Sequence, residues 1–158
     1  MPKTNSNTHR HSMIIVGISC RTSNDQKAAP IDIPKLWQRF YSENISSLIP
    51  NRASEEVIAL YCDYEGDHTK PYTVVLGCPV TSVETMPEGM VVKIIPEGTY
   101  SKFLAKGEFP KSLQDTWGEI WKTPLARTYT GDYEVYGDSF ARDKKKEVQI
   151  FIAVEGSQ

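Results

Sequence analysis

The chain has few cysteines and no arrangement of them that suggests a disulfide framework or a metal site. Three cysteines, Cys20, Cys62 and Cys78, do not form an even set, and no two have C-x-x-C spacing. Cys62 and Cys78 lie in apolar runs, so we expect them to be small buried residues. The reducing cytoplasm is the location that this cysteine use predicts.

Charge and hydropathy exclude further classes of protein. The formal net charge of -2 over 158 residues gives neither the basic surface of a nucleic-acid-binding domain nor a polybasic membrane anchor. No stretch approaches the roughly 18 apolar residues that a spanning helix needs. We therefore expect no direct contact with nucleic acid and no membrane association.

The first twelve residues are polar and lack the apolar core of a signal peptide. We predict that residues 1–12 form a disordered tail. His9 and His11 have the spacing of a metal-binding pair, but on a mobile tail we expect no site. Segment 63–68 contains three acids and His68 without the spacing of a zinc or calcium site, so it is interpreted as a solvated turn. No metal or cofactor is predicted.

Apolar periodicity predicts an α+β chain in which a strand, a helix and two strands occur twice. The first set consists of a strand over 13–19, a helix capped by Asp32, and strands over 57–64 and 72–78. The second set consists of a strand from Met90 to Leu104 with a bulge at Pro96–Gly98, a helix between Pro110 and Pro124, and strands over 132–136 and 147–154.

This order predicts one domain over 13–158, built from half-repeats at about 13–80 and 90–154. The halves would be related by pseudo-two-fold symmetry, in an antiparallel sheet with both main helices on one face. Such a duplication leaves a groove where the halves meet, and clefts of this kind are common ligand sites.

Each predicted helix has an apolar stripe that contains tryptophan. The stripes are Ile33, Leu36, Trp37 and Phe40, and Leu113, Trp117, Ile120 and Trp121. Trp117 and Trp121 are either core residues or a pocket wall, and Trp37 belongs either to the core or to the groove.

Glu134 lies inside the aromatic strand sequence DYEVY, over residues 132–136. Strand alternation places it on the same face as Asp132 and Tyr136. A carboxylate on a half-buried strand beside tyrosines suits an organic cation, which would pair with the charge and contact the ring faces. The alternative is that Glu134 lies on a solvated sheet face.

Five segments together resemble a known family. They are 61–68 (YCDYEGDH), 72–80 (YTVVLGCPV), Trp117-x-x-x-Trp121, 132–136 (DYEVY) and 147–152 (EVQIFI). In this order and spacing, the chain resembles the effector-binding domain of bacterial multidrug-responsive transcription regulators, also described as the gyrase-inhibitor-like or AraC-type effector-binding fold. Within that group it is similar to the stand-alone, integron-associated effector-binding proteins.

The resemblance implies two β-α-β-β repeats with a pocket between them for bulky, often cationic and aromatic ligands. It places a pocket glutamate at Glu134 and a pocket tyrosine close to Tyr72. A further pocket tyrosine of the family falls near Lys146, where this chain has no aromatic residue.

Three more residues are candidates for the ligand site. Tyr100 and Tyr136 either line the cleft or form amphipathic surface. Glu147, at the start of the last predicted strand, is either a second pocket acid or a surface charge.

The leading interpretation is a stand-alone cytoplasmic binding protein for lipophilic cationic or aromatic compounds. It would serve transcription regulation through a regulatory protein partner, or sequester drugs. One alternative is a hydrolase of electrophilic small molecules, with Glu134 or Glu147 as general base. Another is a protein inhibitor of the gyrase-inhibitor type. We favour a binding protein over an enzyme because the chain has no G-x-S-x-G, phosphate loop or dinucleotide motif, and no catalytic residue is predicted.

Overall fold

The computed structural model of the chain describes residues 5–24, 28–67, 69–137 and 146–156. Within these residues there are eight strands and three helices. The strands are β1 (Asn5–Arg10), β2 (Met13–Thr22), β3 (Val57–Cys62), β4 (Tyr72–Val80), β5 (Val91–Ile95), β6 (Gly98–Ala105), β7 (Asp132–Tyr136) and β8 (Val148–Ala153). The helices are α1 (Ala29–Ser42), α2 (Ile45–Leu48) and α3 (Lys111–Lys122). No helix in the described ranges has the length and apolar character needed to cross a membrane.

The strands form one antiparallel sheet in the order β1-β6-β8-β7-β3-β4-β2-β5. β3 and β7 pair at its centre, and the orders β3-β4-β2 and β7-β8-β6 correspond on either side of them. Along the chain these strands belong to the sets β2-α1-β3-β4 and β6-α3-β7-β8. The predicted α+β fold with duplicated halves and two main helices is confirmed.

The sheet curls because two stretches of the chain each supply a strand to both ends of the sheet order. One stretch contains β1 and β2, and the other contains β5 and β6. β1 pairs with β6 and β2 pairs with β5, and the partner numbers add to the same total in both ladders, as Arg10–Gly98 and Met13–Ile95 show. The register is therefore continuous across the breaks between β1 and β2 and between β5 and β6. Since the two ladders lie at opposite ends of the sheet order, this continuity brings the ends of the sheet close together.

The predicted bulge at Pro96–Gly98 is corrected by this register. Gly98 already pairs as the first residue of β6, so the interruption is a bend between two ladders instead of an extra residue within one. Pro96 has no N–H to donate to a ladder, which favours a break at this position.

The prediction of a disordered tail over residues 1–12 is wrong where the structure describes it. Residues 5–10 form β1 and pair one for one with β6. Arg10 fixes the end of the strand: its Nε donates to the hydroxyl of Tyr133 at 2.9 Å, and its guanidinium lies 4.3 Å from the ring centroid of Phe151. The polar composition of residues 5–10 does not indicate a strand. The strand forms because it pairs with β6, which is distant in the sequence. Residues 1–4 lie outside the described ranges.

Two predicted element starts are also corrected. Helix α1 begins at Ala29 with Ala28 as the N-cap residue, so Asp32 lies in the first turn and does not cap the helix. A carboxylate there still interacts favourably with the positive end of the helix dipole. The last strand begins at Val148, which leaves Glu147 before the strand.

An apolar cluster covers each face of the sheet. The first contains Leu36 and Phe40 of α1 and Ile120 of α3, together with strand residues. The second is built by strands alone and joins Ile95 of β5 to Tyr100 of β6, although these strands are far apart in the sheet order. Because the second cluster fills the inside of the curled sheet, the helix-covered face is the one that can carry a cavity.

The cysteines agree with the prediction of buried thiols. Cys62 and Cys78 are buried, Cys20 is half-buried, and all three are free. Burial is the main cause that raises the pKa of Cys62 to about 12, so this thiol stays protonated and behaves as a small apolar side chain.

Candidate functional site

A cavity of about 740 Å³ lies between α1 and α3. Its floor consists of side chains from β3, β4 and β7, and its walls come from one face of each helix. Phe109 and Pro110, just before α3, extend one wall. The cavity therefore lies where the two halves of the chain meet.

The apolar stripe of α1 is divided between the core and the cavity. Leu36 and Phe40 are buried in the core, whereas Trp37 lines the cavity. The Trp37 ring packs edge-on against Tyr136 with centroids 4.9 Å apart and stacks on Tyr41 at 5.7 Å. The apolar stripe of α1 is thus wider than the surface that packs on the core, and its remaining part forms one aromatic wall of the cavity.

Helix α3 divides its stripe in the same way. Ile120 is buried in the core, while Trp117 and Trp121 line the cavity. The Trp117 ring packs edge-on against Tyr61 of β3 at 5.4 Å. Trp121 is 44% exposed, which places it at the mouth of the cavity.

Glu134 lies on the cavity floor and is only 1% exposed. Three neutral donors bind its carboxylate. The hydroxyl of Tyr136 donates to Oε1 at 2.7 Å, and Trp117 Nε1 and the hydroxyl of Tyr61 donate to Oε2 at 2.6 and 3.0 Å. Donors of this kind stabilise an ionised carboxylate but do not neutralise it.

Burial controls the electrostatics of this group. Desolvation raises the pKa of Glu134 above its ordinary value of 4.5, and the hydrogen bonds from Tyr136, Trp117 and Tyr61 oppose that rise. Among the residues that the structure describes, no basic side chain forms an ion pair with Glu134. The floor of the cavity therefore carries a carboxylate that has hydrogen-bond donors but, within the described part of the chain, no counter-ion.

Asp132, two residues earlier on the same face of β7, is in the opposite situation. It is fully buried and accepts hydrogen bonds from Arg127 Nη2 at 2.7 Å, the hydroxyl of Tyr64 at 2.6 Å and the backbone N–H of Ala153 at 2.8 Å. The Arg127 guanidinium also lies 4.3 Å from the ring centroid of Tyr129. Asp132 is thus paired with a basic side chain, whereas Glu134 has no such partner in the ranges that the structure describes.

Tyr72 completes the floor on the side of β4. Its hydroxyl donates to Asn24 Oδ1 at 2.6 Å, and its ring contacts Tyr61 at 6.0 Å and Tyr64 at 5.7 Å between centroids. Burial, as the largest cause, raises the pKa of Tyr72 to about 12. The hydroxyl therefore stays neutral at physiological pH.

The structure brings together six of the eight residues that sequence analysis selected for the ligand site. The six that line the cavity are Glu134, Tyr72, Trp117, Trp121, Tyr136 and Trp37. Tyr100 instead belongs to the cluster inside the curled sheet, where its hydroxyl donates to the carbonyl of Pro96 at 2.6 Å. Glu147 is exposed and does not line the cavity.

The cavity residues that sequence analysis did not select for the ligand site include Tyr61, Tyr64 and Arg127. For Tyr61 the sequence offers one signal: it lies in the predicted strand over 57–64, two residues after Ala59, so both side chains share one face of that strand. Its position depends on β3 pairing with β7, where Ala59 is opposite Glu134 and Tyr61 is opposite Asp132. Neither periodicity nor composition specifies that pairing.

The acidic segment 63–68 is stabilised by neighbouring basic side chains where it is described. Asp63 accepts from Lys93 Nζ at 2.7 Å, and Glu65 accepts from Arg21 Nη2 at 2.9 Å. His68 lies outside the described residues. The solvated-turn interpretation agrees with these exposed pairs.

Comparison with known proteins identifies the family. The profile of the family described as integron-associated effector binding protein matches residues 8–154. The chain belongs to this family. The family link places the chain among effector-binding domains associated with transcription regulation.

Individual relatives cover nearly the whole chain. The Bacillus subtilis (strain 168) protein YobU, whose name assigns it provisionally to the transcriptional regulators, is 30% identical over 94% of this chain and 96% of its own length. The crystal structure of an integron cassette protein from the mobile metagenome of Vibrio cholerae has a TM-score of 0.74 and 29% identity, covering 97% of both chains. The structure of SAV2435 bound to tetraphenylphosphonium has a TM-score of 0.75 at 19% identity, over 96% of this chain and 94% of that one.

Proposed function

We propose that the chain is a stand-alone effector-binding protein for lipophilic cations that carry aromatic groups, and that these bind beside Glu134. One observation carries the proposal. A carboxylate that is 1% exposed lies on the floor of an aromatic cavity, with three neutral donors and no ion-pair partner among the described residues.

The energetics of the buried carboxylate favour a cationic guest. Burying an unpaired carboxylate is costly, and the raised pKa of Glu134 is one expression of that cost. A bound cation would supply the missing positive charge. Ring faces would add roughly 0.5–2 kcal/mol for each close cation contact, and apolar burial about 25 cal/mol per Å².

The cavity has the size and lining for such a guest. Its volume of about 740 Å³ falls within the usual range for small-molecule sites. The ligand in the SAV2435 structure, tetraphenylphosphonium, is itself a lipophilic aromatic cation, and this agreement supports the proposal. Since neither ring contact nor a single charge demands fine geometry, we expect a broad range of ligands with affinities on the order of micromolar.

The cellular role follows from the family link to transcription regulation. We propose that the loaded protein acts on a regulatory protein partner, or lowers the free concentration of a toxic cation by sequestering it. The three free cysteines support the cytoplasmic location expected from the sequence.

The geometry favours binding over hydrolysis. Glu147 does not line the cavity, which removes it from the alternative in which it acts as a general base. Both oxygens of Glu134 already accept hydrogen bonds from neutral donors, an arrangement that suits charge pairing better than proton abstraction from water.

The test compares tetraphenylphosphonium with triphenylphosphine oxide, a neutral aromatic ligand of related shape. We expect Glu134→Gln to lower affinity for the cation by about tenfold or more and to leave affinity for the neutral ligand nearly unchanged. Glu119→Gln, which removes an exposed charge on α3, is the matched control. Equal cation affinity in wild type and Glu134→Gln, with both proteins folded by circular dichroism, would refute the proposal.

A further inference from the structure

A second polar cluster lies at the bend between the two ladders of the curled sheet. Because the β1–β6 and β2–β5 ladders share one register, continuing it across the break places His11 opposite Glu97. His9 is two residues from His11 and therefore shares its face. Two imidazoles from one segment thus meet a carboxylate from the facing segment.

The distances agree with this register. His9 Nε2 lies 2.8 Å from Glu97 Oε2, and the rings of His9 and His11 pack edge-on with centroids 5.6 Å apart. One potential ligand atom from each of the three residues lies within 4.8 Å of the other two. All three side chains are exposed, so an ion from solvent can reach them.

Arg10 gives the cluster a fixed scaffold. It alternates with His9 and His11, so its side chain leaves the opposite face of the segment. There it binds the Tyr133 hydroxyl and covers the Phe151 ring, and its backbone pairs with Gly98. The histidine pair is therefore held on an ordered strand end.

We propose that His9, His11 and Glu97 form a site for a divalent transition-metal ion of the Zn²⁺ type. Two imidazole nitrogens and one carboxylate oxygen are a donor set that suits Zn²⁺, Co²⁺, Ni²⁺ and Cu²⁺, in contrast to the all-oxygen sets of Mg²⁺ and Ca²⁺. In a tetrahedral zinc site, ligand atoms stand roughly 3.4 Å apart at the usual bond lengths. The ligand atoms of the three residues lie up to 4.8 Å apart, and rotation of the exposed side chains would bring them to the shorter separation. Water would complete the coordination.

The ion would replace the His9–Glu97 hydrogen bond and link the two bent strands at the point where both change ladders. Such a link acts on β1, which among the described strands lies at the edge of the sheet and pairs with β6 alone. Binding to the folded state alone also raises thermal stability, by an amount that grows with the logarithm of the metal concentration once that exceeds the dissociation constant. None of the three residues lines the cavity, so this site is independent of the effector proposal.

The experiment titrates Zn²⁺ against a chromogenic chelator, in a Cys20→Ser background that removes the half-buried thiol as a competing ligand. We expect one Zn²⁺ per chain, and a loss of about tenfold or more in affinity for each of His9→Asn, His11→Asn and Glu97→Gln. His68→Asn and Glu108→Gln are controls for histidine content and surface charge, and both should bind Zn²⁺ as the parent does. Zn²⁺ should also slow amide exchange in β1, and Mg²⁺ should not.

Two results would overturn the site. One is the absence of stoichiometric Zn²⁺ binding by the parent. The other is binding that the three site variants and the two controls share equally, which would mean diffuse surface association. Tetraphenylphosphonium affinity measured with and without a chelator should be the same, so a failed metal titration leaves the effector proposal intact.

Discussion

The hydroxyl of Tyr136 donates to Oε1 of Glu134 at 2.7 Å, from two residues further along β7. Strand alternation gives both side chains the same direction, so one strand supplies the anion and one of its donors. The Tyr136 ring in turn packs against Trp37 of α1 at 4.9 Å. The charge on the cavity floor is therefore connected, through one tyrosine, to the position of a wall helix.

Trp117→Phe should shift the pH dependence of cation binding upwards. The change keeps an aromatic ring and removes the Nε1–H donor that holds Oε2 of Glu134 at 2.6 Å. Because this hydrogen bond lowers the pKa of Glu134, its loss makes the carboxyl easier to protonate. A hydrogen bond to a charged group is worth about 1.5–3 kcal/mol, so the midpoint of the pH dependence should move clearly upwards.

The measurement is tetraphenylphosphonium affinity as a function of pH. At pH values well above the transition, Trp117→Phe should bind at least as well as wild type, since its carboxylate is then ionised and has one donor fewer. Trp37→Phe, which also removes an indole from the cavity wall but leaves the three donors in place, should keep the wild-type midpoint. Identical midpoints in all three proteins would show that the indole N–H does not tune Glu134.

The stability of the ligand-free protein should fall as pH rises through the titration of Glu134. Its folded-state pKa is raised above 4.5, so within that window the folded state binds more protons than the unfolded state. The free energy of unfolding then decreases with rising pH, and the cost is fully present only above the raised pKa. Glu134→Gln removes this contribution.

Urea unfolding of wild type and Glu134→Gln at a series of pH values isolates the contribution of Glu134. Other titrating groups contribute equally to both proteins, so they cancel when the two free energies of unfolding are subtracted. Relative to the variant, wild type should be less stable at neutral pH than at pH values below 4.5. A difference that does not change with pH would contradict the cost assigned to the buried charge. Saturating tetraphenylphosphonium should reduce that cost in wild type only.

Asp132→Asn should destabilise the protein far more than the loss of an exposed ion pair. The side chains of Arg127 and Asp132 are 7% and 0% exposed, and removal of one partner leaves a buried charge uncompensated, typically at a cost of about 3–5 kcal/mol. Replacing Arg127 as well, as in Arg127→Met/Asp132→Asn, should recover much of the loss, because the asparagine amide oxygen can still accept from a neighbouring donor such as Ala153 N–H. Lys111→Ala, which breaks an exposed pair with Asp115, should change urea stability little. Equal stability of Asp132→Asn and wild type would contradict this interpretation.

Local patterns were enough to select several residues that line the cavity. Alternation along 132–136 placed Glu134 and Tyr136 on one face, and helix periodicity selected Trp37 and Trp117. The structure places these four residues around one cavity, and each prediction depends on residues only a few positions apart. The duplicated order of elements then indicated the groove between the halves.

Non-local pairing explains what the sequence did not reveal. Tyr61 reaches Glu134 only because β3 lies beside β7, and Tyr100 leaves the cavity because the curled sheet turns its face inward. β1 is polar and exposed on its outer side, so it has the composition of a tail and becomes a strand only beside β6. In each case the deciding contact joins segments that no periodicity connects.

The approach of β2 to β4 gives a last test of the fold beneath the cavity. Gly17 and Gly77 are directly paired, and a Cβ atom on Gly17 would overlap the carbonyl oxygen of Leu76 in the backbone of β4. Because backbone cannot move aside as a flexible side chain can, Gly17→Ala should cost more than the roughly 1–3 kcal/mol of ordinary overpacking. Gly118 on α3 has nothing within 4 Å of such an atom, so Gly118→Ala should instead stabilise the helix by about 0.5–1 kcal/mol. Urea unfolding of the two variants should therefore give opposite signs, and a Gly17→Ala protein as stable as wild type would mean that the two strands do not approach this closely.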